Sequence, residues 1–325
     1  MNVAIIGCGS LGQKRARNLI GATLIACADT NLIKAQTLAQ SYPNCSATDD
    51  WQSLLADDAI NIFIIATPHI FLSEITHAAV NAGKHVLVEK PAACHPSELT
   101  PIITAAKKMK VIVCVGFNHR YHRGIRHAHD LVTQGVIGEL MYIRARYGHG
   151  GRLGYEREWR ADVSLAGGGE LIDQGIHLID LARWFLGDFN QIQGYAPTYF
   201  WNMSVEDNGF LLLKTPENKV AFLHASCTEW KNLFSFEIFG RDGKIEINGL
   251  GGSYGTERTT YYKMAPTMGP PETFIWEYPM PDDSWQMEFT ALLNAINLKQ
   301  PLQTDLASAQ AALAIIHEVY RLSKI

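Results

Sequence analysis

The chain opens on a short apolar run, "NVAIIG" (2–7), that passes without a break into "GCGSLG" (7–12) and a helical stretch over 11–20. Few folds admit such a junction. A strand that feeds a helix through glycines at this spacing turns tightly at Gly7, brings its backbone close to a ligand at Gly9, and packs helix on strand at Gly12. Ser10 and Leu11 complete the loop, and the N–H groups at the helix N-terminus suit a pyrophosphate. The next apolar run, "TLIACAD" (23–29), ends on Asp29, 17 residues beyond Gly12. A carboxylate there can accept both hydroxyls of an adenosine ribose and repels a 2′-phosphate, so the pattern reads as an NAD site in preference to NADP. Thr30 and Asn31 follow in place of an arginine, while Lys34, one turn on, leaves dual use open.

Further runs, "INIFIIAT" (60–67), "HVLVEK" (85–90) and "VIVCVGF" (111–117), alternate with helical stretches at 31–41, 51–56, 71–82 and 96–109. Being apolar on both faces, they read as central strands of a parallel sheet covered by helices. After "GFNHRYHRG" the pattern changes: a helix over 124–134, an alternating strand, a loop rich in Gly and Arg, and a strand-rich region from about 190 to 280. "TPEN" (215–218) and "RDGK" (241–244) are hairpin turns there. Helices at about 284–298 and 303–324 close the chain. The fold class is therefore α/β: a dinucleotide-binding domain over 1–119, then an α+β domain over 120–325 with an open, mostly antiparallel sheet. The C-terminal helix is placed to pack back on the first domain.

Composition narrows the partners. With 47% hydrophobic and 18% charged residues and a net charge of −4, the chain has a sizeable core and no basic surplus for nucleic acid or anionic lipid. No run reaches the length of a membrane span, and no charged leader precedes an apolar one. The six cysteines show no CxxC or CxxH spacing and read as reduced, buried thiols of a cytoplasmic protein, with no metal site.

Two stretches carry chemistry. A lysine at the carboxyl end of a parallel strand, Lys90 in "EKP", points toward the crevice where such sheets bind ligands. In "GGGELIDQGIHLID" (167–180), Asp173 and His177 are four apart and share one face of a helix. Imidazole, with an unperturbed pKa of about 6.5, is suited to proton transfer near neutrality. Asp180, three residues on, reads as a capping or salt-bridging residue.

"GCGSLG", "ATPH" (66–69), "AGKHVLVEKP" (82–91), "GFNHRY" (116–121) and the D-x-x-x-H element occur in an order and at separations that resemble the glucose–fructose oxidoreductase / inositol dehydrogenase (Gfo/Idh/MocA) family. The likeness covers essentially the whole chain. It implies a Rossmann domain followed by an open-sheet domain used in dimer or tetramer contacts, and NAD(P)-dependent oxidation of a sugar or cyclitol hydroxyl, or the reverse. Carried over, Lys90, Asp173 and His177 match the catalytic positions. Thr67, Pro68 and His69, with Glu89 and Lys90, match the segments along the cofactor. Many relatives have His where this chain has Leu72, which removes one such contact.

For the substrate, the loop "YGHGGRLGYEREWRADVSLAGGGE" (147–170) supplies His149, Arg152, Tyr155, Arg157, Trp159 and Arg160. Arg120 and Trp230 stand in neighbouring segments. Arginine matches carboxylate or phosphate, and tryptophan stacks on a pyranose, so a nucleotide-linked or anionic sugar is the expected preference. Two other readings stay open: an NAD-dependent glycosidase that oxidises its sugar transiently, and a non-catalytic dinucleotide-binding sensor.

Overall fold

Strands apolar on both faces need helices on both sides, and the first part of the chain is built that way. The structure is a computed structural model that describes residues 1–267 and 269–324. Six parallel strands stand in the order β3-β2-β1-β4-β5-β6. They are β1 (Asn2–Ile6), β2 (Thr23–Ala28), β3 (Ser46–Thr48), β4 (Ile62–Ile65), β5 (His85–Val88) and β6 (Val113–Val115). Helices α1 (Ser10–Arg17), α2 (Leu32–Ala39), α3 (Leu72–Asn81) and α4 (Pro96–Met109) alternate with them. Val3, Ile5 and all of Ile62–Ile65 are buried, and each such side chain contributes about 1.5–3 kcal/mol. The order reverses between β1 and β4, which opens a crevice at the carboxyl ends of those strands.

The chain divides into two compact units. The first comprises Met1–Phe117, Ser164–Gly167 and Trp285–Leu313; the second comprises Asn118–Val163, Gly168–Ser284 and Ala314–Ile325. The chain first crosses between Phe117 and Asn118, two residues before the expected boundary at 119/120, and returns to the first unit twice. The short α6 (Val163–Ala166) and most of α8 (Ser284–Leu298), with the start of α9 (Leu306–Ser323), return to the first unit.

The second unit holds an eight-stranded sheet, β14-β13-β12-β11-β7-β10-β9-β8. Its strands are β7 (Leu140–Gly148), β8 (Gln191–Tyr195), β9 (Asn208–Lys214), β10 (Val220–Ser226), β11 (Leu233–Gly240), β12 (Gly243–Asn248), β13 (Glu257–Lys263) and β14 (Glu272–Tyr278). Every neighbouring pair is antiparallel except β7 with β10. One face is covered by α5 (Arg123–Thr133) and α7 (Ile176–Leu186). The other is open: Tyr142 stacks on Phe239 at 4.2 Å, Arg144 forks onto Glu237, and Phe222 and Leu212 are exposed. Among the described residues no helix is long and apolar enough to cross a membrane.

A buried ion cluster lies in the first unit's core. Arg15 of α1 is 2% exposed, donates from Nε to Glu89 at 2.6 Å, pairs through Nη1 with Glu288 of α8, and lies over the Trp285 ring at 4.2 Å. Replacing it with methionine leaves two buried carboxylates without their cation. Arg15→Met is expected to lose about 3–5 kcal/mol in denaturant unfolding at neutral pH. A loss below about 1 kcal/mol at neutral pH would show that the cluster is dispensable.

Candidate active site

The glycine loop owes its shape to close contacts. A Cβ on Gly12 would stand 2.0 Å from the Gly7 carbonyl oxygen, and one on Gly7, where φ is +93°, would stand 2.5 Å from that of Ala66. Gly7 therefore meets the segment after β4, and Thr67 and Pro68 are brought to the glycine loop at the switch point. A Cβ on Gly9 would meet nothing within 4 Å. Helix α1 carries no side-chain cap and no acid in its first turn. Asp29 Oδ2 accepts the Cys8 N–H at 2.8 Å and Oδ1 that of Asn31 at 2.9 Å, which leaves a second lone pair on each oxygen. Thr67 Oγ1 is buried with no hydrogen-bond partner among the described residues. An open cradle, an uncapped helix N-terminus and an orphaned hydroxyl fit a bound dinucleotide.

Two residues expected along the cofactor have other work. Glu89 holds Arg15, as above. His69 is buried, with Nδ1 2.9 Å from the Ala166 carbonyl oxygen, and so fastens the Ser164–Gly167 segment within the first unit. Lys90, half-buried, leaves β5 directly after Glu89 and precedes Pro91 through a cis peptide bond.

In the second unit Asp173 and His177 do not share one regular helix. Leu171–Gly175 forms a π-helical turn that carries Asp173, and α7 with His177 begins immediately after it. Such wide turns concentrate at functional sites. Gly175 answers to packing: a Cβ there would stand 2.8 Å from Leu171 Cδ1 and 3.2 Å from Ala225 Cβ of β10. His177 stacks on His119 with ring centroids 3.8 Å apart, and Tyr147 lies 5.0 Å from His119 and 6.1 Å from His177. Burial holds the Tyr147 phenol well above its ordinary value, with Tyr254 adding to the shift. Asp173 Oδ2 accepts Arg160 Nε at 3.1 Å. Burial alone would lower the Arg160 guanidinium, but Asp173 and its neighbours outweigh it and hold the cation. His149 accepts the Gly151 N–H at Nδ1 and faces the buried Glu170 at 3.6 Å through Nε2. Its pKa is raised because the Glu170 contacts outweigh burial.

The helix start is held by a residue outside the expected set. Glu206 accepts the N–H of Gly169 at 2.9 Å, that of Leu171 at 3.0 Å and the hydroxyl of Tyr320 at 2.6 Å. A Cβ on Gly169 would stand 2.0 Å from the Glu206 carbonyl oxygen, so the glycine run before the helix lets this segment close in.

The arginines and tryptophans expected to bind substrate are distributed differently. Arg120 is buried in a two-pronged pair with Asp180 at 2.8 and 2.6 Å, which fastens the His119 turn to α7. Arg152 is 75% exposed and pairs with Glu158 at 2.7 Å. Trp159 lies 4.5 Å beneath the Arg160 guanidinium. Trp230 is 64% exposed, set edge-on to Phe200 at 4.7 Å. Of this set, only Arg160 joins Asp173. His119, Tyr147 and Glu206 were not singled out from the sequence; the first stands inside "GFNHRY", one place before the arginine that drew attention.

Residues 1–117 match the model of an oxidoreductase family with an NAD-binding Rossmann fold, GFO/IDH/MocA, and residues 125–246 match that family's C-terminal domain. The chain is 28% identical over 286 residues to a levoglucosan dehydrogenase of Pseudarthrobacter phenanthrenivorans, covering 76% of this chain and 73% of that protein. It is 35% identical over 195 residues to a D-glucoside 3-dehydrogenase of Escherichia coli, covering 58% and 54%. A levoglucosan dehydrogenase solved with NADH and L-sorbose shares the fold, with a TM-score of 0.89 at 22% identity over 100% of this chain and 97% of the other.

Burial pushes the Glu206 carboxyl up to about 7, against the hydrogen bonds it accepts. The folded chain thus holds this proton more tightly than the unfolded one. Its contribution to stability is full below about pH 4.5 and is lost as pH rises through about 7, a change of roughly 3 kcal/mol. Melting temperatures of wild type and Glu206→Gln across that range are the measurement. The variant, less stable at low pH because an amide N–H opposes a backbone donor, is expected to lack this part of the slope. Parallel slopes would remove Glu206 as its source.

Proposed function

The chain belongs to the Gfo/Idh/MocA family of NAD-binding oxidoreductases, and from that membership we propose that it transfers a hydride between nicotinamide and a secondary hydroxyl of a neutral sugar or cyclitol. The observation that carries this reading is the pairing of His177 with His119 beside an Asp173 already matched by Arg160. Bound NAD supplies the hydride acceptor. His177 takes the hydroxyl proton as the hydride leaves. His119 fixes the plane of that ring. Asp173, its charge fixed by Arg160, accepts a neighbouring substrate hydroxyl. Lys90 steadies the developing alkoxide. Asp29 favours NAD over NADP, since a 2′-phosphate would meet its carboxylate.

The neutral substrate follows from how the arginines are used. Arg120, Arg152 and Arg160 are each matched by a carboxylate. Besides Lys90, the groups proposed to meet the substrate beside His177 are an imidazole (His119), a carboxylate (Asp173) and a phenol (Tyr147), which suit hydroxyl groups better than phosphates. The names of the two relatives above, for levoglucosan and for D-glucosides, point the same way. The test follows the near-ultraviolet absorbance of reduced nicotinamide with NAD or NADP and a panel of anhydrosugars, glucosides, inositols and nucleotide sugars. NAD-linked turnover of a neutral polyol is expected, lowered about a hundredfold or more in His177→Ala. Turnover confined to nucleotide sugars would overturn the neutral class. No reduced nicotinamide, with solvent exchange of a sugar ring proton, would mark a transient-oxidation glycosidase instead.

We further assign the open face of the eight-stranded sheet to contact between copies of the chain, as a dimer or tetramer. The support is the exposed Tyr142, Leu212 and Phe222 around the Arg144–Glu237 pair, an apolar patch that favours burial. Phe222→Asp is expected to lower the mass measured by light scattering toward that of one chain. An unchanged multimer would place the contact elsewhere.

A further inference from the structure

Three cysteines outside the catalytic set gather under the dinucleotide loop. Cys8, within the loop, donates its thiol to the Ala28 carbonyl at 3.4 Å, and Cys27 of β2 has its Sγ 3.6 Å from that of Cys45. We propose that Cys27 and Cys45 are a peroxide-sensitive dithiol whose oxidation to a disulfide weakens dinucleotide binding at Asp29.

The two sulfurs differ in the way such a pair requires. Cys45 is half-buried just before β3, while Cys27 is fully enclosed. A hydrogen bond from the Cys27 thiol lowers the Cys45 thiol below its ordinary value, and burial opposes this only in part. The same contact, with Cys8 and burial, raises Cys27. Cys45 is thus the accessible nucleophile and Cys27 the enclosed thiol beside it. The Cys45 thiolate attacks a peroxide oxygen and the O–O bond breaks, giving Cys45 sulfenic acid and hydroxide. The Cys27 sulfur then attacks the sulfenic sulfur. The S–S bond forms, the S–O bond breaks, and the Cys27 proton leaves with the hydroxyl as water. The two thiols lose two electrons and the peroxide gains them.

The route from this bond to the ligand site is short. Closing 3.6 Å to a disulfide of about 2.05 Å draws Cys45 inward and with it β3, a three-residue strand at the sheet edge. Thr48, the last residue of β3, accepts the Asp29 N–H at 3.2 Å, and Asp29 in turn holds the Cys8 N–H of the glycine loop. A shift of β3 therefore moves the acceptor that sets the Asp29 backbone.

Trypsin tests this directly, because Lys14 and Lys34 put Cys8, Cys27 and Cys45 on three separate peptides. After hydrogen peroxide and alkylation, peptides 18–34 and 35–84 are expected joined, two hydrogens lighter than their sum and parted by dithiothreitol. The oxidised protein is expected to bind NADH about fivefold more weakly by fluorescence titration, with affinity restored on reduction. Cys45→Ser, altered at the half-buried thiol, is expected to show neither effect under the same peroxide. Cys45 oxidised to sulfinic acid with Cys27 still alkylatable, a bridge through Cys8, or a Cys27–Cys45 bridge with unchanged NADH affinity would each overturn the proposal.

Discussion

A guanidinium buried in the core of the first unit sets the position of what surrounds it. Removing Arg15 from water carries a desolvation penalty of several kcal/mol, offset only if its partners are held close and well aligned. Glu89 and Glu288 satisfy that condition, and the Trp285 ring covers the cation's face. Helix α1, the end of β5 and the start of α8 cannot shift independently without breaking the cluster. The glycine loop enters α1 five residues before Arg15 (Ser10 to Arg15), and Lys90 follows Glu89 directly. The same ion cluster therefore fixes where the helix N-terminus lies and where the lysine leaves its strand.

The second unit repeats this device with different residues. Arg120 and Asp180 form a buried fork, and the residues they flank, His119 and His177, are the ones stacked at 3.8 Å. Asp173 is matched by Arg160, and the turn that carries it hangs from Glu206. Each group proposed to react stands beside, or within a turn of, a residue committed to an ion pair or a buried hydrogen bond. Chemistry that depends on sub-ångström placement gains from this, because a buried charge pair tolerates little displacement. Under the proposed function, Arg120 and Arg160 of this region hold carboxylates instead of substrate anions.

The sequence made the fold legible wherever a pattern was long enough to repeat. Apolar runs gave β1, β2, β4, β5 and β6 within a few residues, and glycine spacing gave the loop. β3 escaped because three residues cannot display a period. The π-helical turn escaped because apolar spacing does not register one extra residue over so short a span. Among candidate site residues, those whose place is set by backbone packing, such as Gly7 and Gly12, could be read from their order. Those whose role is set by a partner could not. Arg120 and Arg152 are chemically alike, yet one is buried against Asp180, 60 residues away, and the other is exposed beside Glu158. His119 offered no signal of its own, since only the fold brings it onto His177.

The dinucleotide loop is anchored unequally as a result. On the Lys90 side the contacts are buried ion pairs, whose loss leaves an uncompensated charge. On the Asp29 side they are single hydrogen bonds: Thr48 to the Asp29 backbone, and Asp29 to Cys8 and Asn31. A neutral hydrogen bond contributes about 1 kcal/mol and one to a charged group about 1.5–3, well below the disruption of a buried ion cluster. β3, at the sheet edge with one neighbour, resists displacement least. Any force applied to this sheet is therefore taken up first at the Asp29 end of the loop, while the lysine and the helix N-terminus keep their places. A regulatory input at Cys27 and Cys45 acts on the part of the site free to respond, and leaves the reacting groups in register.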